Sequence, residues 1–427
     1  MINPQDRAPY GWAPLVVLFI VGLVDRIENN LLSGLLPLMQ KEWGFSDTLA
    51  GSIPTAAALA AAIVALPAGY LADRRSRTRI LAIVVFCWAI ATLGSGLATG
   101  FAMFYVMRVF LAAAENIDNP AAGSLLADWY PPLSRAKAYG LTRVTTYLGG
   151  IGTLLGGVLG ASFGWRTAFL IMVVPGVITA FLCWMLREPP RGRLDRIVAG
   201  GADDLAGAAA VEKPPFWRQF GQVMKIPTIV FVCTGLALLT LGLAGVFFWL
   251  PSLMVRTFGA GTGSAASLTG LITVVGPVVG TLIGSRLGRT WHGTRKGGRL
   301  LAGGGGITIG AAVLAVALMM DNLYALAGLV LVSCTLMSIA IPNMTACLAD
   351  VVGAASRGLG FAVLQVFTTV GGAFGSLIVG IASDRFGSLL SGMYVLIVPM
   401  VVGGLITLGA RASFERDAQR VLDEAAR

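Results

Sequence analysis

The sequence predicts an all-α membrane protein of twelve transmembrane helices arranged as two pseudo-symmetric six-helix bundles. Three observations predict it: the composition, a series of apolar segments of crossing length, and an internal repeat. Of 427 residues, 56% are hydrophobic and 12% charged, with a mean hydropathy of +0.80. A soluble domain carries about twice that charged fraction. Glycine, at 56 residues, is abundant, as it is in membrane helices. The apolar mass therefore faces lipid.

The apolar segments fall at about 12–39, 48–72, 79–98, 101–127, 138–162 and 167–186, then 228–252, 266–288, 300–320, 323–349, 358–382 and 391–411. Each can cross about 30 Å of hydrocarbon at 1.5 Å per residue. Residues 1–186 form the first bundle and 228–411 the second. Between them, 187–227 is a cytoplasmic linker. Its Phe216, Trp217, Phe220, Val223 and Met224 recur at helical spacing, the pattern of an interfacial helix. Residues 412–427 form a cytoplasmic amphipathic tail, with Phe414, Ala418, Val421, Leu422 and Ala425 on one face.

The repeat is direct. Pro120, Leu126-Ala127-Asp128, Arg135 and Gly149-Gly150 recur as Pro342, Leu348-Ala349-Asp350, Arg357 and Gly371-Gly372, each shifted by 222 positions. Two parallel halves follow, with a binding cavity expected between them near the midplane. Gly152, Gly156 and Gly160, and Gly276, Gly280, Gly284 and Gly288, recur every four residues. Small residues at that spacing let helix backbones approach closely.

The net charge of +10 is a topology signal rather than a nucleic-acid footprint. With the N-terminus inside, Lys41, Arg166, Arg256 and Arg385 are the basic residues of external loops. Arg26, Arg108 and Arg143 lie within spans. The rest of the 31 Lys and Arg are cytoplasmic, so both termini are expected in the cytoplasm of a multi-pass cell-membrane protein. Asp25, Arg26 and Glu28 interrupt the first apolar segment, against a cleavable signal peptide. The five cysteines form no C-x-x-C pair, and the one histidine, His292, lies in a loop, so neither a disulfide framework nor a metal site is indicated. No G-x-S-x-G, no histidine acid–base pair and no phosphate loop is present, against an enzyme and against a cofactor.

Between spans two and three the chain reads Gly69-Tyr-Leu-Ala-Asp73-Arg74-Arg-Ser-Arg77-Thr-Arg79. This resembles the loop motif G-x-x-x-D-R-x-G-R-R of the major facilitator transporters, with Ser76 in place of a glycine. Phe163-Gly164-Trp165-Arg166 is also similar to the family. The resemblance implies an alternating-access transporter in which Asp73, Arg74 and Arg77 latch the inward end, and spans 1, 4, 7 and 10 line the cavity. A narrower resemblance is to the Spinster branch of lipid transporters. It rests on Asp25-Arg26 (with Gly22 for Asn), Arg108 and Glu115 (with Ala112 and Ala114 for Gly), Glu188-Pro189-Pro190-Arg191-Gly192, and Gly270-Leu271-Ile272-Thr273. That branch implies a lysophospholipid or related amphiphile as substrate. A proton-coupled exporter of drugs or organic anions is the alternative.

The ionisable residues add their own argument. Asp25, Arg26, Glu28, Arg108, Glu115, Asp118 and Arg143 all fall in the membrane part of the first half. Unpaired in lipid they would cost roughly 20 kcal/mol together, so they pair or are hydrated. Arg108, Glu115 and Asn119 share one face of span four, and Asp25, Glu28 and Asn29 one face of span one. Four acids against three arginines leave one net negative charge, which one proton neutralises. No histidine lies in a span, so that proton rides on a carboxylate: Asp25, Glu28, Glu115 or Asp118, with Glu115 and Asp25 foremost. Arg26, Arg108 and Arg143 suit an anionic head group, since guanidinium matches phosphate. The counterparts of Arg108, Glu115 and Asp118 in the second half are Val330, Met337 and Ala340, so that half suits an apolar body. Trp249 and Met337 are expected near the tail, with Asn119, Asn343 and Gln365 as polar contacts. The expected partners are a lipid-like or amphiphilic small molecule, protons and membrane lipids, with no nucleic acid, for a monomeric chain.

Overall fold

A computed structural model describes residues 8–191, 216–353 and 356–425. Their side chains are described except at 65–74, 116–120, 132–133, 136, 143, 216, 357–358, 422 and 424–425. Every regular element among these residues is a helix. In order they are α1 (Ala13–Trp43), α2 (Asp47–Arg74), α3 (Arg77–Gly96), α4 (Phe101–Trp129), α5 (Pro132–Tyr147), α6 (Gly150–Phe163) and α7 (Trp165–Trp184). After the linker come α8 (Phe216–Met224), α9 (Pro227–Phe258), α10 (Thr262–Trp291), α11 (Gly298–Ala317), α12 (Leu323–Ser338) and α13 (Ala340–Val351). The chain closes with α14 (Arg357–Phe386), α15 (Leu389–Tyr394), α16 (Ile397–Gly409) and α17 (Arg411–Ala425).

Three of the twelve expected passes are broken: α5 and α6, α12 and α13, and α15 and α16 each make one crossing in two pieces. The break between α5 and α6 falls at Leu148-Gly149. Ten crossings are apolar enough to be recognised by hydropathy among the described residues. The remaining two, α1 and α4, carry the intramembrane charges other than Arg143 of α5.

The chain divides into two compact units. One comprises Met1–Gly44 and Ala56–Val211, the other Phe45–Thr55 and Glu212–Arg427. The core of the first is built from Leu81, Val85, Trp88, Leu111, Leu125, Trp129, Tyr130 and Cys183. Its α1 and α6 meet along the glycine stripe. A Cβ on Gly152 would collide with the Ile27 carbonyl, and one on Gly156 would stand 2.5 Å from the Leu31 carbonyl oxygen. Across this seam the Ser33 and Thr153 hydroxyls lie 2.9 Å apart. The turn into α7 uses Gly164 at φ +84°, and behind it the Trp165 indole donates to Glu42 at 2.7 Å.

In the second unit the other stripe does the same work. Gly280 and Gly284 face Thr335 and the Ile339 carbonyl at the break between α12 and α13. At the end where α9 finishes, Arg256 makes two 2.7 Å hydrogen bonds to Asp47, and Asp384 accepts from the amides of Asp47 and Thr48. At the other end Asp417 of α17 accepts from the amide and hydroxyl of Thr228 at 3.2 and 2.7 Å. Glu415 accepts from the Gly297 amide at 2.9 Å. The amphipathic tail is thus seated on its own unit.

Arg77 anchors the first unit. Its side chain is 1% exposed, paired with Asp128 and with Glu188 at 2.8 Å, and it donates to Ser124 Oγ at 2.7 Å and the Pro189 carbonyl at 3.1 Å. Glu188 also caps α3, accepting from the Thr78 amide at 2.9 Å. The same ion pair recurs in the second unit as Arg299 with Asp350, again shifted by 222 positions. Burial pushes the Glu188 carboxyl up, but the Thr78 amide, the Arg77 guanidinium and the Ser76 hydroxyl outweigh it and hold the group below its ordinary range.

Two stability predictions follow from these contacts. Gly152→Val, which forces α6 off the Ile27 carbonyl, should lower the melting temperature in detergent by the equivalent of about 1–3 kcal/mol. Gly305→Ala in α11, where a Cβ meets open space, should be neutral or mildly stabilising. Equal effects of the two substitutions would contradict the seam. The lowered Glu188 group contributes stability that is present above its unfolded value of about 4.3 and is lost as pH falls through its lower folded value. Acid melting curves of the wild type should therefore drop across that window, and Glu188→Gln should flatten the drop.

Candidate functional site in the first unit

The segment Asp25-Arg-Ile-Glu-Asn-Asn30 lies midway along α1, where the glycines of α6 hold its backbone. Gly22, three residues earlier, faces Thr145 of α5 so closely that a Cβ would be 3.1 Å from its hydroxyl. Gly149, at the break between α5 and α6, faces the Asn30 amide. The chain is fixed on both sides of the charged turn, and α4 brings Arg108 and Glu115 to it from two turns of one face.

The described side chains form two groups. In one, Asn29 bridges two acids: its amide nitrogen donates to Asp25 Oδ1 at 3.0 Å and to Glu115 Oε2 at 3.0 Å. One amide nitrogen thus holds the Asp25 and Glu115 carboxyls side by side. Arg26 flanks this pair, its Nε 3.5 Å from Asp25 Oδ2 and its side chain 42% exposed. In the other group, Glu28 lies 3.6 Å from Arg108 Nη1 and accepts from the Thr92 hydroxyl of α3. The Arg108 guanidinium stands 5.7 Å over the Phe169 ring of α7. Arg108 Nη1 and Glu115 Oε1 are buried without a hydrogen-bond partner among the described side chains.

The structure thus brings Asp25, Arg26, Glu28, Arg108 and Glu115 into one neighbourhood. Asp73, Arg74, Asp118, Asn119 and Arg143 have side chains outside the described residues. Arg77, expected to latch the two halves, has all its named partners within the first unit. In the second unit, Trp249, Met337 and Asn343 are core residues. Trp249 is fully buried and donates to the Ser376 carbonyl at 2.9 Å; Met337 is packed against Gly310. Asn343 donates to the carbonyls of Gly284 and Ile339 at 2.9 and 2.8 Å, pinning α13 to α10. Their polar atoms are spent inside the unit. Gln365 is exposed and donates to the Thr369 hydroxyl at 3.1 Å.

Three contributors are less visible in sequence. Asn29 shares a face with Asp25 at a spacing of four, which is a usable signal, but its span to Glu115 is tertiary. Thr92 and Phe169 sit in apolar helices like many others, and nothing in the order of residues marks them. Chemically the arrangement offers a buried guanidinium with an N–H that has no partner among the described side chains, a second arginine partly exposed, and three carboxyls, two of them bridged by Asn29.

Comparison with known proteins agrees with this build. The sequence model of the Major Facilitator Superfamily matches residues 18–376. A hexuronate transporter of Bacillus subtilis is 25% identical over 276 residues, covering 64% of this chain and 62% of that one. A gallate transporter of Pseudomonas putida is 26% identical over 305 residues, covering 66% and 67%. The chain thus spans about two thirds of the length of these curated relatives. In fold it is similar to a bacterial homolog of the human lysosomal transporter Spinster, with a TM-score of 0.80 at 22% identity over 96% of this chain and 97% of that one. A family match over most of the sequence, on a fold shared nearly end to end, leaves one assignment: this chain belongs to the Major Facilitator Superfamily.

Proposed function

We propose that the protein is a proton-coupled secondary transporter that moves an organic anion across the cell membrane by alternating access, with both termini cytoplasmic and the chain acting as a monomer. Residues 1–186 and 228–411 are its two moving halves, joined by 187–227. One observation carries the reading: a buried arginine, Arg108, whose Nη1 has no hydrogen-bond partner among the described side chains, stands beside two carboxyls bridged by the single amide of Asn29. Arginine binds the anion. The Asp25–Glu115 pair, clamped by Asn29, carries a proton, because two carboxyls that close cannot both ionise cheaply. Deprotonating the pair leaves two like charges on one amide, and that repulsion is what a change of conformation relieves.

A small organic acid is the first substrate class to test, since the relatives at about a quarter identity are named for hexuronate and gallate. An amphiphile with an anionic head, such as a lysophospholipid, is the second. It is supported by the Glu188-Pro-Pro-Arg-Gly segment, the Spinster-like fold, and a second half without charge at the positions matching Arg108 and Glu115. Arg26 and Arg108 serve either class, Arg143 and Asn119 would extend the site, and Gln365 is the second half's polar contact. Asp73, Arg74 and Arg77 would gate the inward end.

Proteoliposomes test the coupling. Asp25→Asn and Glu115→Gln should each lower accumulation driven by a pH gradient by at least about tenfold, a coupling of about 1.4 kcal/mol, with far less effect on equilibrium binding. Full gradient-driven flux in both variants would place coupling elsewhere. Binding of glucuronate, gallate and lysophosphatidic acid, each beside a neutral analogue, tests the anion site. Arg108→Ala should weaken the anionic member by about 2 kcal/mol or more, the cost of breaking a buried charge pair. Arg26→Ala, on a half-exposed side chain, should cost about 1 kcal/mol or less. Equal losses for anionic and neutral analogues would count against the anion site. The probe that binds decides between the two classes.

A further inference from the structure

Among the described side chains, Glu28 is the ionisable group of this neighbourhood that the reading above does not use. It is 3% exposed, and its distance to Arg108, 3.6 Å, is too long for a hydrogen bond. A guanidinium and a carboxylate that are free to close form a short, often forked pair. Here the pair is held open, and Arg108 Nη1 stays without a hydrogen-bond partner among the described side chains. The Thr92 hydroxyl occupies the same Glu28 oxygen, Oε1, that faces the arginine.

Thr92 has two outlets. Its Oγ1 lies 2.9 Å from the Trp88 carbonyl as well as next to Glu28. A hydroxyl donates one proton and accepts through two lone pairs. With Glu28 ionised, the Thr92 proton points to the carboxylate. With Glu28 neutral, the carboxylic O–H donates to Thr92 Oγ1, and Thr92 donates onward to the Trp88 carbonyl. Both protonation states are satisfied without moving a heavy atom, because only one hydroxyl turns. Charged neighbours face Glu28 from α1 and α4: Asp25, Arg108 and Glu115. Thr92 faces it from α3, with the Trp88 carbonyl behind the hydroxyl. No other titratable side chain is described there from α6 or α7, and Arg143 of α5 lies outside the described side chains.

We infer that Glu28 is a built-in competitor for the substrate anion: it is the counter-ion of Arg108 in the empty site, and it takes up one proton when an incoming anion displaces it. The step balances. Arg108⁺ with Glu28⁻ becomes Arg108⁺ with the bound anion and neutral Glu28. One O–H bond forms on Glu28, the proton comes from the water that admits the anion, and the site's net charge does not change. The inference rests on the anion role proposed for Arg108. It adds a second proton site, distinct from the Asp25–Glu115 pair, and makes binding itself a proton-consuming event.

The test uses the full chain in lipid nanodiscs, with glucuronate, gallate and lysophosphatidic acid as probes and a pH-indicator dye to count protons. Glu28→Gln is a permanently neutral stand-in for the acid. At mildly alkaline pH it should bind the active probe on the order of tenfold more tightly, and proton uptake per anion should fall by one. Unchanged or weaker binding, or an unchanged proton count, would overturn the inference. A ligand-free arm covers the case of a misfolded variant or an inert panel. Infrared titration of the wild type should show a carboxylic-acid band that Glu28→Gln removes and Thr92→Val shifts; a titration with no Thr92-sensitive band also overturns it. If Asp25→Asn and Glu115→Gln keep gradient-driven flux while Glu28→Gln loses its proton, the acid-pair reading falls and this one stands. The opposite pattern sinks this one alone.

Discussion

A charge in hydrocarbon has to be answered by a partner, and the first unit is arranged around that demand. Placing a charged side chain at the centre of a bilayer costs about 2.5–3.5 kcal/mol on insertion scales. Asp25, Arg26, Glu28, Arg108 and Glu115 are brought together because none of them can be left alone. The seam of glycines between α1 and α6 serves the same end. It fixes the backbone on both sides of Glu28, so that carboxyl and guanidinium meet at set distances rather than drifting on loose helices. Packing without side chains, at Gly152 and Gly156, is what makes the polar chemistry above it reproducible.

The pairing is nevertheless incomplete, and that is informative. A structural salt bridge closes its hydrogen bonds, as Arg77 does with Asp128, Glu188, Ser124 and Pro189. Among the described side chains Arg108 does not: Glu28 stands off at 3.6 Å and Nη1 has no hydrogen-bond partner. The two arginines differ in how completely the described side chains answer them. Both are almost wholly buried, so burial alone would not separate them.

Much of this was legible in the sequence because the physics concerned is one-dimensional. Crossing segments are long and apolar, small residues recur every fourth position, and a charge inside an apolar run stands out whatever surrounds it. That is why Asp25, Glu28, Arg108 and Glu115 were identifiable before any contact was known. The break at Leu148-Gly149 was not, since it carries no proline and glycine is common throughout; the one at Ile339 lies just before Pro342, whose missing N–H and ring act on residue 338. Thr92 was invisible for a different reason: a threonine in a membrane helix usually bonds its own backbone, and only the arrival of Glu28 from another helix gives the hydroxyl a second choice. Trp249 and Asn343 show where a sequence pattern and a packing role overlap. A large aromatic and an amide in apolar helices look like binding groups, yet each spends its donor on a neighbouring carbonyl.

The paired ion bridges, Arg77–Asp128 and Arg299–Asp350, are not equally supported. Glu188 closes the first, while the position 222 residues beyond Glu188 is Ala410, which has no carboxylate to offer. The second bridge is accordingly more open, with Arg299 20% exposed against 1% for Arg77. Beside it the helix start is capped from elsewhere: Glu415 takes the Gly297 amide and Arg411 takes the Lys296 carbonyl, both from α17. The C-terminal helix has become the brace that the second half lost from its own repeat. The chain's last helix is thus structural masonry rather than an appendage. An affinity tag or reporter would sit more safely beyond residue 425 than in its place, and a truncation before Arg411 would remove part of the second bundle's footing.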